Sequence, residues 1–182
     1  MKNQNTALII IDMQRGMATP EAGPRNNPGA EENIRQLLLA WRVAGRPVVF
    51  VRHMSRTPGS LFWPGQPGNE FQENLLPLTS EHVVEKNVTD AFVNTGLERW
   101  LHVRAIKDLV IVGVSTNNSV EATARSAGNL GFNTMVVADA CFSFDRLDFN
   151  GKPQTAEEVH INALSNLQGE YATVLNTAVL LD

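Results

Sequence analysis

Asp12, Lys86 and Ser119 are the residues of this chain whose types and settings could carry covalent chemistry. Ser119 lies in GVSTNNSVEATARSA, where the apolar run KDLVIVGV passes through the short loop STNN into a helical pattern. A continuous β-branched run is how a parallel strand covered on both faces reads. A side chain in the first turn of the following helix meets unpaired backbone N–H groups and the positive end of the helix dipole. An anionic nucleophile would be stabilised there. The same N–H groups would hold the oxyanion of a tetrahedral intermediate, a large term in acyl transfer. The segment has a second reading, because Asn117, Asn118 and Ser119 are all ordinary helix N-cap residues.

Asp12 ends the first apolar run, TALIIID, and is followed by Met13 and Gln14; Lys86 sits in VVEKNVTDAF. A carboxylate at the C-terminal end of a first strand stands where open parallel sheets place ligands, and the Ser119 loop stands at the end of another strand. Taken singly, such an Asp serves as a cap and such a Lys as a solvated loop cation.

The elements that would position these groups alternate between apolar strands and amphipathic helices. Strands are expected at about 6–12, 47–53, 82–85, 108–114, 133–138 and 172–175, and helices at about 30–45, 94–104, 118–131 and 155–167. This order predicts one α/β domain over 1–182, a three-layer α/β/α arrangement around a doubly wound, mostly parallel, Rossmann-like sheet. Two Gly/Pro-rich segments interrupt it, ATPEAGPRNNPGA after Asp12 and RTPGSLFWPGQPGNEF before Lys86. Loops of that length in a compact domain are commonly functional or disordered, and Phe62, Trp63 and Phe71 favour order in the second. Phe62, Trp63 and, beside Lys86, Phe92 would wall an apolar substrate pocket, or pack the loop onto the body or a subunit interface.

Composition narrows the classes. The 182 residues carry a net charge of −4, with Lys and Arg scattered, which gives no electrostatic case for nucleic acid. The single cysteine, Cys141, forms no internal disulfide and suits a reducing cytoplasm. It reads as a small buried residue. MKNQN followed by a short strand lacks a signal-peptide pattern. No apolar run reaches the roughly 20 residues that span a bilayer.

The segments ALIIIDMQ, RPVVFVRH, VVEKNVTDAF, VIVGVSTNNSVEATARSAGNLGF, MVVADAC and EEVHINALSNL together resemble the isochorismatase-like, or cysteine, hydrolases, which include nicotinamidases, N-carbamoylsarcosine amidohydrolases and isochorismatases. The resemblance covers nearly the whole chain. It implies a catalytic triad of Asp12, Lys86 and position 119. It also implies a cis peptide at Val114–Ser115, which would aim the Ser115 and Ser119 amides at one oxyanion. Homodimers or homotetramers are the expected assemblies, and a small molecule is the expected substrate.

Position 119 departs from the amidase pattern, in which a cysteine is the nucleophile. A thiol of pKa about 8.5 ionises readily in such a setting; an alcohol does not. Ser119 is then a cysteine-to-serine variant, or a natural serine activated by Asp12 or a neutral Lys86. A third reading is that no nucleophile is needed, as in isochorismatases, which hydrolyse a vinyl ether through the first-strand aspartate. Nicotinamidases of this family bind a metal through an Asp-x-His pair and a later His, but here His53 is preceded by Val51 in the aspartate's place. His82, His102 and His160 lack ligand spacing. The expectation is no metal and no cofactor, with His53 and Gln14 contacting substrate. The chain is read as a metal-independent hydrolase of a small amide, carbamoyl or related C–N compound, with the ether hydrolase and a catalytically silent binding protein as alternatives.

Overall fold

β1 (Thr6–Ile11) is buried along its whole length, because it lies near the middle of a sheet with helices on both faces. The computed structural model describes residues 4–181. Six strands, β1, β2 (Val48–His53), β3 (His82–Lys86), β4 (Asp108–Val114), β5 (Asn133–Phe142) and β8 (Thr173–Leu175), form one sheet in the order β3-β2-β1-β4-β5-β8. Every pairing in it is parallel. Alternate residues feed two cores. Ile9, Ile11, Val49, Val51, Leu109 and Ile111 face α2 (Leu97–Val103), α3 (Glu121–Asn129) and α4 (Ala156–Leu167). Leu8, Ile10, Val48, Phe50, Val110 and Val112 face α1 (Ala30–Val43), whose Ile34, Leu37, Leu38 and Trp41 are buried against them. α5 (Thr177–Leu181) packs beside α1 through Leu180.

The chain winds from β1 outward to β3, then returns to the centre and winds the other way through β4, β5 and β8. β1 and β4 are therefore neighbours at the point where the winding reverses, and their C-terminal ends open a crevice between the diverging loops. Their register ends at Ile11 opposite Gly113. Gly113 has φ +120°, and a Cβ there would lie 2.1 Å from the Ile11 carbonyl oxygen. Only glycine permits this approach.

The elements expected from sequence are present, with differences at their ends. β5 runs to Phe142 rather than stopping near 138, because its register with β4 jumps between Ile111 and Gly113 and re-pairs Cys141 with Gly113 and Phe142 with Val114. Asp139, within that irregularity, accepts hydrogen bonds from the Thr177 N–H and hydroxyl, both 2.8 Å, and starts α5, which the sequence pattern did not reveal. The expected helix at 118–131 is shorter and is preceded by a π-turn, Thr116–Val120. A small antiparallel hairpin, β6 (Arg146–Leu147) and β7 (Pro153–Gln154), also went unread. α4 starts with a capping box in which Thr155 and Glu158 satisfy each other's backbone N–H. Among the described residues no helix is long and apolar enough to cross a membrane.

Candidate active site

Each side chain of the site is delivered by the end of a different strand. Asp12 follows β1 directly; its backbone adopts φ +51°, and its N–H donates to the Val51 carbonyl of β2 at 2.9 Å. Lys86 is the last residue of β3, in register with His53. Ser119 sits in the π-turn after β4, where the Asn118 and Val120 N–H groups both donate to the Ser115 carbonyl, at 3.1 and 3.2 Å. The Val114–Ser115 peptide is cis.

These three side chains meet. The Lys86 Nζ donates to Asp12 Oδ2 at 2.7 Å, to Ser119 Oγ at 3.2 Å and to the Val88 carbonyl at 3.2 Å. Three acceptors around one nitrogen match the three N–H donors of an ammonium. A neutral amine would make two such donations and accept the Ser119 hydroxyl hydrogen on its lone pair. Asp12 is 1 % exposed and Lys86 2 %, so water competes little with the contact. Asp12 Oδ1 is buried with no hydrogen-bond partner.

Burial pushes the Asp12 carboxyl above the ordinary carboxylate range; Lys86, then the Ser119 hydroxyl and His53, oppose the shift without cancelling it. A carboxyl so placed exchanges a proton more easily near neutrality than a solvated one. The half-buried His53 ring is driven towards its neutral form, first by burial and then by Lys86.

The other expected contacts divide. The His53 ring stands edge-on to Phe62, with centroids 6.3 Å apart. Phe62 covers the segment after Asp12 so closely that a Cβ on Gly16 would lie 2.7 Å from its ring. Trp63, next to it, is 36 % exposed at the loop surface. Gln14 does not fit its expected part as a substrate contact. Its Nε2 donates to the carbonyls of His53 and Asn69 at 3.0 and 2.8 Å, and its Oε1 accepts the His53 N–H at 2.9 Å. Both amide hydrogens are thereby consumed in fixing the backbone. The half-buried Phe92 ring stacks on Phe132 at 5.8 Å and packs against the core beneath α2 and α3, and its N–H donates to Asp90 Oδ1.

Asn69, which no sequence pattern singles out, is 1 % exposed and donates to the His53 and Phe62 carbonyls, both at 2.8 Å. The buried Thr116 and His160 form a further cluster with the half-buried Asn27 behind the turn. Among the described residues no three His, Cys, Asp or Glu side chains gather as metal ligands would, and Val51 is wholly buried in the core.

A model of the isochorismatase domain matches residues 6–179. The chain belongs to the isochorismatase family. It is 37 % identical over 179 residues to YrdC, an isochorismatase family protein of Bacillus subtilis, covering 98 % of this chain and 96 % of the relative. A crystal structure of an isochorismatase-family protein from Chromobacterium violaceum superposes with a TM-score of 0.96 at 45 % identity, covering 100 % of this chain and 94 % of the other. Nicotinamidase 3 of Arabidopsis thaliana is 28 % identical over 183 residues, covering 93 % of this chain and 84 % of the relative. The protein is therefore an isochorismatase-family hydrolase, and the family includes enzymes that cleave amide C–N bonds.

Proposed function

We propose that this hydrolase cleaves a small amide, carbamoyl or related C–N substrate without a metal, with Asp12 as general acid and base, Lys86 as the fixed cation and Ser119 as the nucleophile. The observation that carries the reading is the placement of Lys86 Nζ between Asp12 Oδ2 and Ser119 Oγ, beside a second Asp12 oxygen that is buried and unpartnered. With Lys86 donating to it, the Ser119 oxygen is left to donate its own proton. The spare Asp12 oxygen is the base that takes it. Attack of Oγ on the substrate carbonyl forms the C–O bond, and Asp12 then passes the proton to the leaving nitrogen as the C–N bond breaks. Water, deprotonated by Asp12, releases the acyl group and restores Ser119. Lys86 holds the carboxylate in place and offsets its charge throughout.

Asp12 and Lys86 cancel, and His53 is held towards neutrality, so the site has no net charge and suits an uncharged substrate. The raised carboxyl of Asp12 also serves the second reading, proton donation to a vinyl ether without a covalent intermediate. Ser119→Ala separates them. Across a panel of carbamoyl, nicotinamide-like and aliphatic amides, the proposal requires the serine protein to turn over at least one, with kcat falling by at least ~10³-fold in Ser119→Ala. Retained kcat in Ser119→Ala together with loss in Asp12→Asn would transfer the chemistry to Asp12 alone. Activity unchanged by a chelator is expected in either case.

A further inference from the structure

The loop that leaves Asp12 returns behind the turn that carries Ser119. Asn26 and Asn27 lie on it, and each is linked to the turn through one intervening residue. Asn26 Oδ1 accepts the Ser143 N–H at 2.8 Å, and the Ser143 hydroxyl donates to Asn117 Oδ1 at 3.1 Å. Asn27, at φ +44°, a conformation that Asn tolerates better than most residues, donates from Nδ2 to the carbonyls of Cys141 at 2.7 Å and Ala138 at 3.0 Å. The same Nδ2 lies 3.4 Å from His160 Nε2. The other ring nitrogen of His160, on α4 and 4 % exposed, lies 2.7 Å from Thr116 Oγ1.

This arrangement fixes the proton on His160. With both hydrogens of the Asn27 amide pointed at carbonyls, its nitrogen faces Nε2 and offers that atom no acceptor. A proton on Nε2 would meet an NH2 group. The neutral ring therefore carries its hydrogen on Nδ1 and donates it to Thr116. Burial disfavours the charged ring as well, with Glu157 opposing. Thr116 is fully buried and stands three residues before Ser119, so its rotamer and the path of the π-turn are set together.

We infer that Asn27 and His160 are positioning residues that clamp Thr116 from behind and so hold the Ser119 oxygen within reach of Lys86. The inference rests on Ser119 as the nucleophile seat, but its test can fail separately. In a Ser119→Cys background, the rate of iodoacetamide alkylation at position 119 reads the placement and ionisation of the group there without a known substrate. Adding His160→Phe or Thr116→Val, the second nearly isosteric, is expected to slow alkylation by about tenfold and to shift its pH–rate profile, since displacement by a fraction of an ångström is enough to disturb such a site. His160→Asn, which can still present an N–H to Thr116, is expected to stay within about threefold of the background.

Cooperative melting and an unchanged far-UV spectrum identify folded variants; if His160→Phe does not fold, Thr116→Val decides. A folded Thr116→Val protein with unchanged alkylation overturns the clamp. So does a folded His160→Phe protein with unchanged alkylation, which marks the ring as filler, and so does a His160→Asn protein as slow as His160→Phe, because returning an N–H to Thr116 then restores nothing. The absolute rate in the background tests the other reading. A thiol no faster than free cysteine would count against the hydrolase mechanism, while the ratio between variants still decides the clamp.

Discussion

Ser119 follows the end of β4 and Cys141 lies beside it on β5, and the two meet very different surroundings. Cys141 has the more acidic group by nature, yet it is fully buried in register with Gly113, and burial pushes its thiol up to about 12, with Asp139 adding to the shift. No cation faces it. Ser119 has the less acidic group but lies 3.2 Å from the Lys86 ammonium, at a turn whose partners include a carboxyl able to take a proton. Both are nearly inaccessible, at 7 % and 0 % exposure. The difference is the charge placed beside them, which follows from their strands. β4 borders β1 and its aspartate; β5 borders β8.

Removing the charge should erase the difference. Asp12→Asn keeps the shape but cannot accept the Ser119 proton, and kcat/KM on any amide the protein hydrolyses should drop by at least ~10³-fold. On the proposed mechanism the same carboxyl should set the acid side of the pH profile of the unsubstituted protein. Asp12 must be ionised to act as base, and its pKa is raised above 3.8, so kcat/KM should fall towards acid with a midpoint above that value. The native state also holds the Asp12 proton more tightly than the unfolded chain. Its contribution to stability is therefore full below pH 3.8 and lost as pH rises through the raised native pKa.

Placing a thiol on both sides of β4 sharpens the comparison. In Ser119→Cys, iodoacetamide should label the new thiol at least ~10²-fold faster than Cys141, which holds only about one part in 10⁴ of thiolate at pH 8. Peptide mapping of the labelled protein checks this, and equal labelling would break it. Gly113→Ala attacks the strand end that separates the two. A Cβ 2.1 Å from a backbone oxygen at φ +120° should cost about 3 kcal/mol or more in denaturant unfolding. Cys141→Ala should do least, leaving kcat/KM within about twofold and costing about 1 kcal/mol of stability. A larger loss of activity would give Cys141 a part it has no charge to play.

The strands and their order were readable because ALIII, VVFV and LVIVGV are continuous apolar runs, the pattern of a parallel sheet covered on both faces, and they alternate with helical segments. Asp12, Lys86 and Ser119 were readable as strand-end residues of the right types. Their distances were not, since these depend on how far β3 reaches past β1. Gln14 and Phe92 were selected for their nearness in sequence to Asp12 and Lys86, and nearness does not say which way a side chain turns. Asn69 and the Asn27–Thr116–His160 cluster left no trace because their partners are backbone carbonyls and side chains distant in sequence. Residue types reveal little of such bonds. The extension of β5 and the start of α5 hang on one register jump at Gly113, which no local periodicity encodes.

The amide pairing of Gln14 with His53 and Asn69 has a consequence for how this scaffold diversifies. The segment from Ser55 to Gly68 leaves and rejoins the body at points pinned to the strand ends, and within it Phe62 is tied to Asn69 and packed over Gly16. Its exposed tip residues should accept exchange in a directed-evolution library while Asp12 and Lys86 keep their places, provided Gln14, Phe62 and Asn69 are left alone. Selection for new substrates would then sample that segment first.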